Sequence, residues 1–431
     1  MTEKFDAIVV GGGVSGLAAA YIMAKKGLKV IIIEKGNKAG SKNVMGGILY
    51  RKMMEDIIPE FWKEAPLERP IVEQNIWIMG ENSITKIGYK GMEWAEEPHN
   101  CYSVFRGKFD NWFAKKCVEA GALLITETVV TSCIIADGTV VGVNTDRPDG
   151  DLYADVVVLA DGANSLLAKD LGFHKEWKKE EVALAVMEVL KLPKATIEQR
   201  FNLDKGMGAA IEIFGDGTLG MVGTAFVYTN KEHISIGCGT LLSQMVEKKV
   251  TPYDLLEHLK NHPAIKPLIA DATQAEYYAH LIPEGGYHSI PTLVGDGVLV
   301  IGDAAQFVNG LHREGSNMAT ESGKFAAETI IKAKELGKFD KKTLSSYETS
   351  VRNSFIVKDL KKYRNASKTL ETNPSYFKHY IPQLNKAVGN FLTVDGITKV
   401  KKQMIFIKDM LKGKNFFVAA GEVLKLLWAV K

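Results

Sequence analysis

Residues 5–35 read FDAIVVGGGVSGLAAAYIMAKKGLKVIIIEK. The run FDAIVV is short, apolar and β-branched, which suits a strand buried in a parallel sheet. GGGVSG follows at once, then LAAAYIMAKK with helical character and a stop at Gly27. LKVIIIEK supplies a second buried strand that runs into Glu34 and Lys35. Strand, glycine-rich turn, helix, strand and acid in this order form a dinucleotide-binding unit. Gly11 permits the tight turn, Gly13 lets backbone approach a pyrophosphate, and Gly16 lets helix and strand pack closely. Val14 and Ser15 open a helix whose N-terminus stabilises the pyrophosphate anion. Glu34 is placed to accept hydrogen bonds from a ribose.

A glycine fingerprint alone is weak, and GDGTLG at 215–220 fits the same pattern. It lies between AAIEIF and GMVGTAFVY, two strand-like runs, with Asp216-Gly217 as a turn signal. That context predicts a hairpin, not a nucleotide site.

The bulk of the chain is ordinary for a globular protein of 431 residues, with 46% hydrophobic and 24% charged residues. Its net charge of +3 is unevenly spread. From Val351 onward, 16 Lys/Arg face 5 Asp/Glu, an excess of 11, which leaves the first 350 residues at −8. Such asymmetry points to an acidic partner or an anionic surface for the C-terminal part, or to a solvated lysine-rich face. Cys101, Cys117, Cys133 and Cys238 show no metal-ligand spacing, so neither a zinc site nor an iron–sulfur cluster is expected. No apolar run approaches the roughly 20 residues that cross a bilayer. The expectation is a cytoplasmic chain, peripheral at the inner face of the cell membrane, that binds no nucleic acid.

Three further segments narrow the cofactor. RGKFDNWFAKKCVEAGA starts at Arg106 on an amphipathic helix, VVVLADGANS (156–165) is a strand ending in Asp161-Gly162, and GVLVIGDAAQFVNGLHREGSNMATESG (297–323) is a strand, a glycine-rich loop and a helix. This ordered set resembles the two-dinucleotide-domain flavoproteins with the p-hydroxybenzoate hydroxylase fold. The resemblance implies FAD, with Asp303 after Gly302 on the ribityl chain, Asp161 and Gly162 near the pyrophosphate, Arg106 on the phosphates and Val130 by the adenine. It also implies that Gly315, Ser316, Asn317 and Met318 open the helix facing the flavin ring, whose dipole favours the anionic reduced flavin.

More closely, GSKNVMGG (40–47), HLIPEGG (280–286), GDAAQFVNGLHREGSNMA (302–319) and SFIVKDLKKYRN (354–365) resemble the electron-transfer flavoprotein:quinone oxidoreductase family, and its FixC branch most of all. Lys42, Asn43, Gly46 and Gly47 join the implied cofactor site through the first of these. Gln306 departs from the family pattern, where a small residue is the rule, and Gly310 stands where proline is usual. The single-chain members carry a four-cysteine [4Fe–4S] domain at the C-terminus, but no cysteine follows Cys238 here. In the FixC branch a separate ferredoxin-like subunit supplies that cluster, and two electron-transfer flavoprotein subunits complete an electron-bifurcating complex. The resemblance therefore implies those subunits and a membrane quinone as partners.

The expected architecture is α/β: a Rossmann-type FAD domain from 1–75, 100–180 and 290–350, an inserted antiparallel-sheet substrate domain from 76–99 and 181–289, and a helical C-terminal region, 351–431. In 399–431, Met404, Ile405, Ile407, Met410 and Leu411 alternate with Lys401, Lys402, Lys408 and Lys412, and Leu424, Leu426, Leu427 and Trp428 cluster after them. These read as amphipathic helices, either meeting membrane, quinone or a partner subunit, or covering the flavin domain with lysines in water. Electron transfer needs no catalytic triad or dyad, so no catalytic residue is assigned. His280, His288 and His312 are candidate proton sources for a quinol, against structural roles for each. A geranylgeranyl reductase of isoprenoid lipids, a flavin monooxygenase and a non-catalytic electron relay remain as alternatives.

Overall fold

The computed structural model describes residues 4–42, 46–312 and 314–430. The chain forms two compact units. The first comprises Met1–Leu67, Val104–Glu181 and Leu281–Lys362, and the second comprises Glu68–Ser103, Val182–His280 and Tyr363–Lys431.

In the first unit the strand Lys4–Val10 lies between Val30–Ile33 and Leu152–Leu159, parallel to both, with Ala7 opposite Val30 on one side and Val156 on the other. Leu123–Ile125 and Val298–Val300 extend the parallel set at its two sides. The central strands are buried, which is why they read as continuous apolar runs. The hairpin Val130–Ala136/Thr139–Thr145 pairs antiparallel with the start of Leu152–Leu159. Three helices serve this sheet: Val14–Lys25, Arg106–Glu119 and Ser316–Leu336.

The second unit is built on a sheet that runs Thr273–Pro283, Val182–Lys191, His233–Leu241, Gly223–Thr229, Gly208–Gly215 and Leu67–Gly80, with Ser83–Lys90 paired to the last. It is not wholly antiparallel, because Gly208–Gly215 runs parallel to Leu67–Gly80. Parallel neighbours need a long crossover, and the chain between these two strands provides one. The second glycine fingerprint is a hairpin: Gly208–Gly215 pairs antiparallel with Gly223–Thr229, joined through a short 3-10 turn at Asp216–Thr218. One face of the sheet buries Trp77, Val186, Ile211, Ile213, Val227 and Ile236 against Leu255, Leu256 and Leu259 of the helix Pro252–Asn261. That helix starts where it does because the Thr251 hydroxyl accepts the Asp254 N–H at 3.1 Å and Pro252 needs no partner at the first turn.

The C-terminal segment is helical and tied to this unit. The Asn385 amide donates to the Ile78 carbonyl at 3.1 Å and accepts from Thr85 at 2.9 Å. Lys399–Met410 and Phe416–Ala429 are the last two helices. Glu422 fastens the second of them, accepting from Tyr380 at 2.7 Å and Ser375 at 3.1 Å and pairing with Lys414. Their polarity differs from that of a helix pair lying apolar side down with its lysines in water. Lys402 is buried, donating to the Asn390 carbonyl at 3.0 Å and paired with Asp395 at 2.9 Å. Met404, Ile407, Phe416, Phe417, Leu424, Leu427 and Trp428 are exposed instead. A buried ammonium is retained because three partners replace its water.

Candidate functional site

Every described residue expected to hold the cofactor lies in the first unit. Asn43 lies outside the described residues. The glycine loop joins Lys4–Val10 to Val14–Lys25 with the geometry the fingerprint requires. Gly11 has φ +109°, and a β-carbon on it would stand 2.3 Å from the Ala160 carbonyl oxygen. Gly13 caps the helix, and the space its β-carbon would fill is open. A ligand phosphate can therefore approach the N–H groups at Val14, Ser15 and Gly16, where the helix dipole favours negative charge.

Glu34 follows the strand Val30–Ile33, and its carboxylate accepts N–H groups from Gly12 at 2.8 Å and Gly36 at 2.6 Å. It therefore fixes the glycine loop as well as offering a charge. The Thr128 N–H donates to the Glu34 carbonyl at 3.1 Å, which brings the approach to Val130 alongside it. Lys35 and Lys42 are exposed, and Gly46 and Gly47 begin the strand Gly46–Tyr50.

Arg106 opens its helix with a buried guanidinium that donates twice to Asp110, at 2.8 and 3.0 Å. Burial works against its charge, but Asp110 and Asp303 outweigh that and hold the guanidinium above its ordinary value. Burial pushes the Asp303 carboxyl up, and Arg106 opposes the rise. Asp161 is likewise pushed up by burial, countered by the Leu167 N–H among other groups. The sequence placed these three charges far apart; the fold brings Arg106 and Asp303 into electrostatic contact.

Gly302 and Asp303 lie in a 3-10 turn, Gly302–Ala305, stapled to Ser165 through the Ala304 carbonyl at 3.1 Å. Gln306 ends that turn with φ +63° and 0% exposure. Asn309 and Glu314 then pair backbone to backbone, and Gly315 leads into Ser316–Leu336. Among the described residues of this unit six polar side chains have buried atoms without a hydrogen-bond partner: Ser41 Oγ, Trp62 Nε1, Asp161 Oδ1, both amide atoms of Gln306, Asn309 Nδ2 and Asn317 Oδ1. Native interiors leave few such groups unpaired. Orphaned donors and acceptors on these segments, an open glycine loop and two helix N-termini fit a dinucleotide cofactor. Ser41 and Gln306 were not among the predicted contacts; in the sequence only its place inside a longer motif marked Ser41, and Gln306 stood out as a departure from the family pattern.

The cysteines add no reactive group. Burial pushes the four thiols up, those of Cys101 and Cys133 to about 12, so they are poor nucleophiles. Among the described residues no group of His, Cys, Asp and Glu is arranged to hold a metal ion.

The FAD binding domain family matches residues 4–355, and the ETF-QO/FixC family C-terminal domain matches 366–431. Protein FixC of Bradyrhizobium diazoefficiens is 47% identical over 97% of this chain and 97% of its own. Protein FixC of Azotobacter vinelandii is 45% identical over the full length of both, and that of Escherichia coli K12 is 41% identical over 95% of this chain and 98% of its own. The chain belongs to the ETF-QO/FixC family, in its FixC branch. Solved structures share its fold: a geranylgeranyl bacteriochlorophyll reductase-like protein of Thermoplasma acidophilum has a TM-score of 0.73 at 20% identity, covering 99% of this chain and all of that one. A flavoprotein/dehydrogenase of Cytophaga hutchinsonii has a TM-score of 0.64 at 18% identity, covering 98% and 99%. At such identities the likeness is one of fold, so it gives no weight to the isoprenoid-reductase alternative. FAD is the cofactor of this family member, which is a flavoprotein oxidoreductase of electron transfer. No helix among the described residues is long and apolar enough to cross a membrane.

Proposed function

We propose that this chain takes electrons from an electron-transfer flavoprotein and passes them to a membrane quinone, as the FAD subunit of a bifurcating complex. The observation that carries this reading is the C-terminal segment: residues 366–431 match the ETF-QO/FixC domain yet hold no cysteine. A [4Fe–4S] cluster would then come from a separate small ferredoxin-like subunit, beside two electron-transfer flavoprotein subunits.

Bound FAD supplies reversible one- and two-electron chemistry. The chain's own residues bind and orient it. Gly11, Gly13 and Gly16 with the N–H groups of Val14 and Ser15 cradle the pyrophosphate, and Glu34 with neighbouring Lys35 holds the adenosine ribose. Arg106, already aligned by Asp110, offers positive charge to the phosphates, while Asp161 and Gly162 shape the site beside them. Lys42, Gly46 and Gly47 flank it, and Val130 borders the adenine. Asp303 after Gly302 holds the ribityl hydroxyls. Gly315, Ser316, Asn317 and Met318 present a helix N-terminus that favours negative charge on the ring.

The quinone is lipid-borne, and the last two helices suit a membrane surface. Phe417 is 82% and Trp428 70% exposed, with Phe416, Leu424 and Leu427 beside them in sequence and the exposed Lys412 and Lys425 around them. Aromatic and aliphatic residues dip into the interface while lysines attract anionic lipid. These exposed residues support the reading of a peripheral protein at the inner face of the cell membrane.

Anaerobic photoreduction of the FAD-loaded chain, followed by mixing with a menaquinone analogue, tests the acceptor. Rapid, stoichiometric return of the oxidised flavin absorbance is expected. An inert flavin would sink the quinone reading and leave an electron relay.

A further inference from the structure

The buried polar loop that ends in the helix Ser316–Leu336 carries a carboxyl group that the cofactor site does not use. Glu284 follows the strand Thr273–Pro283, and its N–H donates to the Glu181 carbonyl at 2.8 Å. Its carboxyl lies on the backbone of Gly310. A β-carbon on Gly310 would stand 1.9 Å from Oε2 and 2.8 Å from Oε1, so any other residue there would evict it. Gly310 sits between Asn309 and Glu314, which close the loop by backbone pairing, and between the unpaired amide atoms of Gln306, Asn309 and Asn317. The carboxyl is thus held on a segment whose side chains await a ligand.

Its own state supports a chemical role. The residue keeps part of its surface exposed, yet its carboxyl lies among packed protein atoms. Burial alone pushes it up to about 7. The charged and titratable groups on adjoining segments include Glu181, Tyr287 and His288 on the turn Gly286–Ser289, His312 and Glu314 beyond Gly310, and Lys358, Asp359, Lys361 and Lys362 on Phe355–Lys362. None of them moves it. A structural carboxylate is normally held ionised by a cation or by N–H groups. One with no such partner among the described residues, on a residue that keeps part of its surface exposed, matches a general acid.

We propose that Glu284 is the proton donor to the quinone, an inference that rests on the acceptor reading above. A quinone becomes a quinol by gaining two electrons and two protons. The electrons come from the reduced cofactor, one proton from Glu284 and the other from water. The carboxylic O–H bond breaks as a quinone oxygen takes the proton, and solvent returns a proton to the carboxylate. Glu284 therefore takes the role for which His280, His288 and His312 were candidates.

The test uses the photoreduced, FAD-loaded chain mixed with a menaquinone analogue across a pH series. The wild-type rate is expected to fall above about pH 7, where Glu284 ionises. Glu284→Gln should slow it on the order of 100-fold and flatten the profile. Glu284→Asp should keep a pH break. Ferricenium, a one-electron acceptor that needs no proton, should reoxidise wild type and Glu284→Gln at equal rates. Infrared difference spectra of the FAD-free chain, taken slightly below neutral pH, should show a protonated-carboxyl band that Glu284→Gln removes. Equal quinone rates, an equal loss with ferricenium, or the absence of that band would each overturn the assignment. A wild type that ignores quinone but not ferricenium would overturn the acceptor reading and the assignment with it.

Discussion

Gly323 lies on the backbone of Ser15: a β-carbon built on it would stand 2.2 Å from the Ser15 carbonyl oxygen and 3.0 Å from the Ala18 side chain. Through this contact the helix Ser316–Leu336 presses on Val14–Lys25 near the N-termini of both. Gly302 joins the same junction, with its N–H on the Ser322 hydroxyl at 3.0 Å. The two helices proposed to turn their N-termini to the cofactor are thus joined by one close backbone approach. Gly323→Ala should force the helices apart and cost about 1–3 kcal/mol. Thermal unfolding with and without FAD measures it. The stabilisation that FAD adds should shrink as well, and an unchanged FAD increment would show that the junction does not position the site.

Glu34 makes a separate prediction. Its two oxygens take the Gly12 and Gly36 N–H groups, and charge-assisted bonds of this kind are worth about 1.5–3 kcal/mol each. Glu34→Gln keeps one acceptor and turns an amide N–H toward a backbone N–H. The glycine loop should loosen, and FAD should bind roughly 10–100-fold more weakly by flavin-fluorescence titration. A shift below about twofold would mean that the loop holds its shape without the carboxylate.

How much of this was legible depended on whether the signal was local. The glycine loop, its flanking strands and Glu34 were readable because backbone sterics demand those residues at those positions. The false fingerprint at 215–220 was separable because its flanks alternate as a hairpin does. The clamp between Arg106 and Asp110 is also local, one helical turn apart, yet nothing in sequence says that both would be buried. Glu284 and Gly310 were both inside quoted motifs, but their contact joins residues 26 positions apart and depends on the fold. Gln306 was noticed as a departure, and the structure adds that it sits left-handed and unpaired. A non-glycine residue in that region costs about 1–3 kcal/mol, and such strain collects at functional sites. Lys402 was misread because a lysine between apolar residues looks solvated, whereas Asn390, Thr393 and Asp395 gather around it only after the chain turns back.

His258 and Asp216 give the second unit a pH dependence. His258 Nε2 donates to Asp216 Oδ2 at 2.8 Å. The hydrogen bond to Asp216 raises His258, against its partial burial, and the bond from His258 lowers Asp216. The raised imidazole contributes fully below its unfolded value of about 6.5 and loses its contribution as pH climbs through the folded value. The lowered carboxyl contributes above its unfolded value of about 3.9 and is lost as pH falls through its folded value. Both side chains are partly exposed, so the pair is worth no more than about 1 kcal/mol. Wild type should exceed His258→Gln in thermal stability most clearly from about pH 4 to 6.5, and the gap should close as pH rises through the raised folded value of His258. A gap that is constant with pH would assign the difference to packing.

The last two helices predict a lipid dependence that separates membrane docking from mere surface charge. Each exposed aromatic on Phe416–Ala429 that enters the interface contributes up to about 1.5–3 kcal/mol, whereas the lysines act through a screened attraction. Phe417→Ser and Trp428→Ser should each weaken sedimentation with vesicles containing phosphatidylserine by about tenfold at fixed salt. Raising the salt should weaken wild type and both variants alike, because the lysines are untouched. Neither variant should unfold the chain, since both side chains already face water. If salt abolished binding while the aromatic variants bound like wild type, the lysines alone would be responsible, and the apolar face would belong to a protein partner.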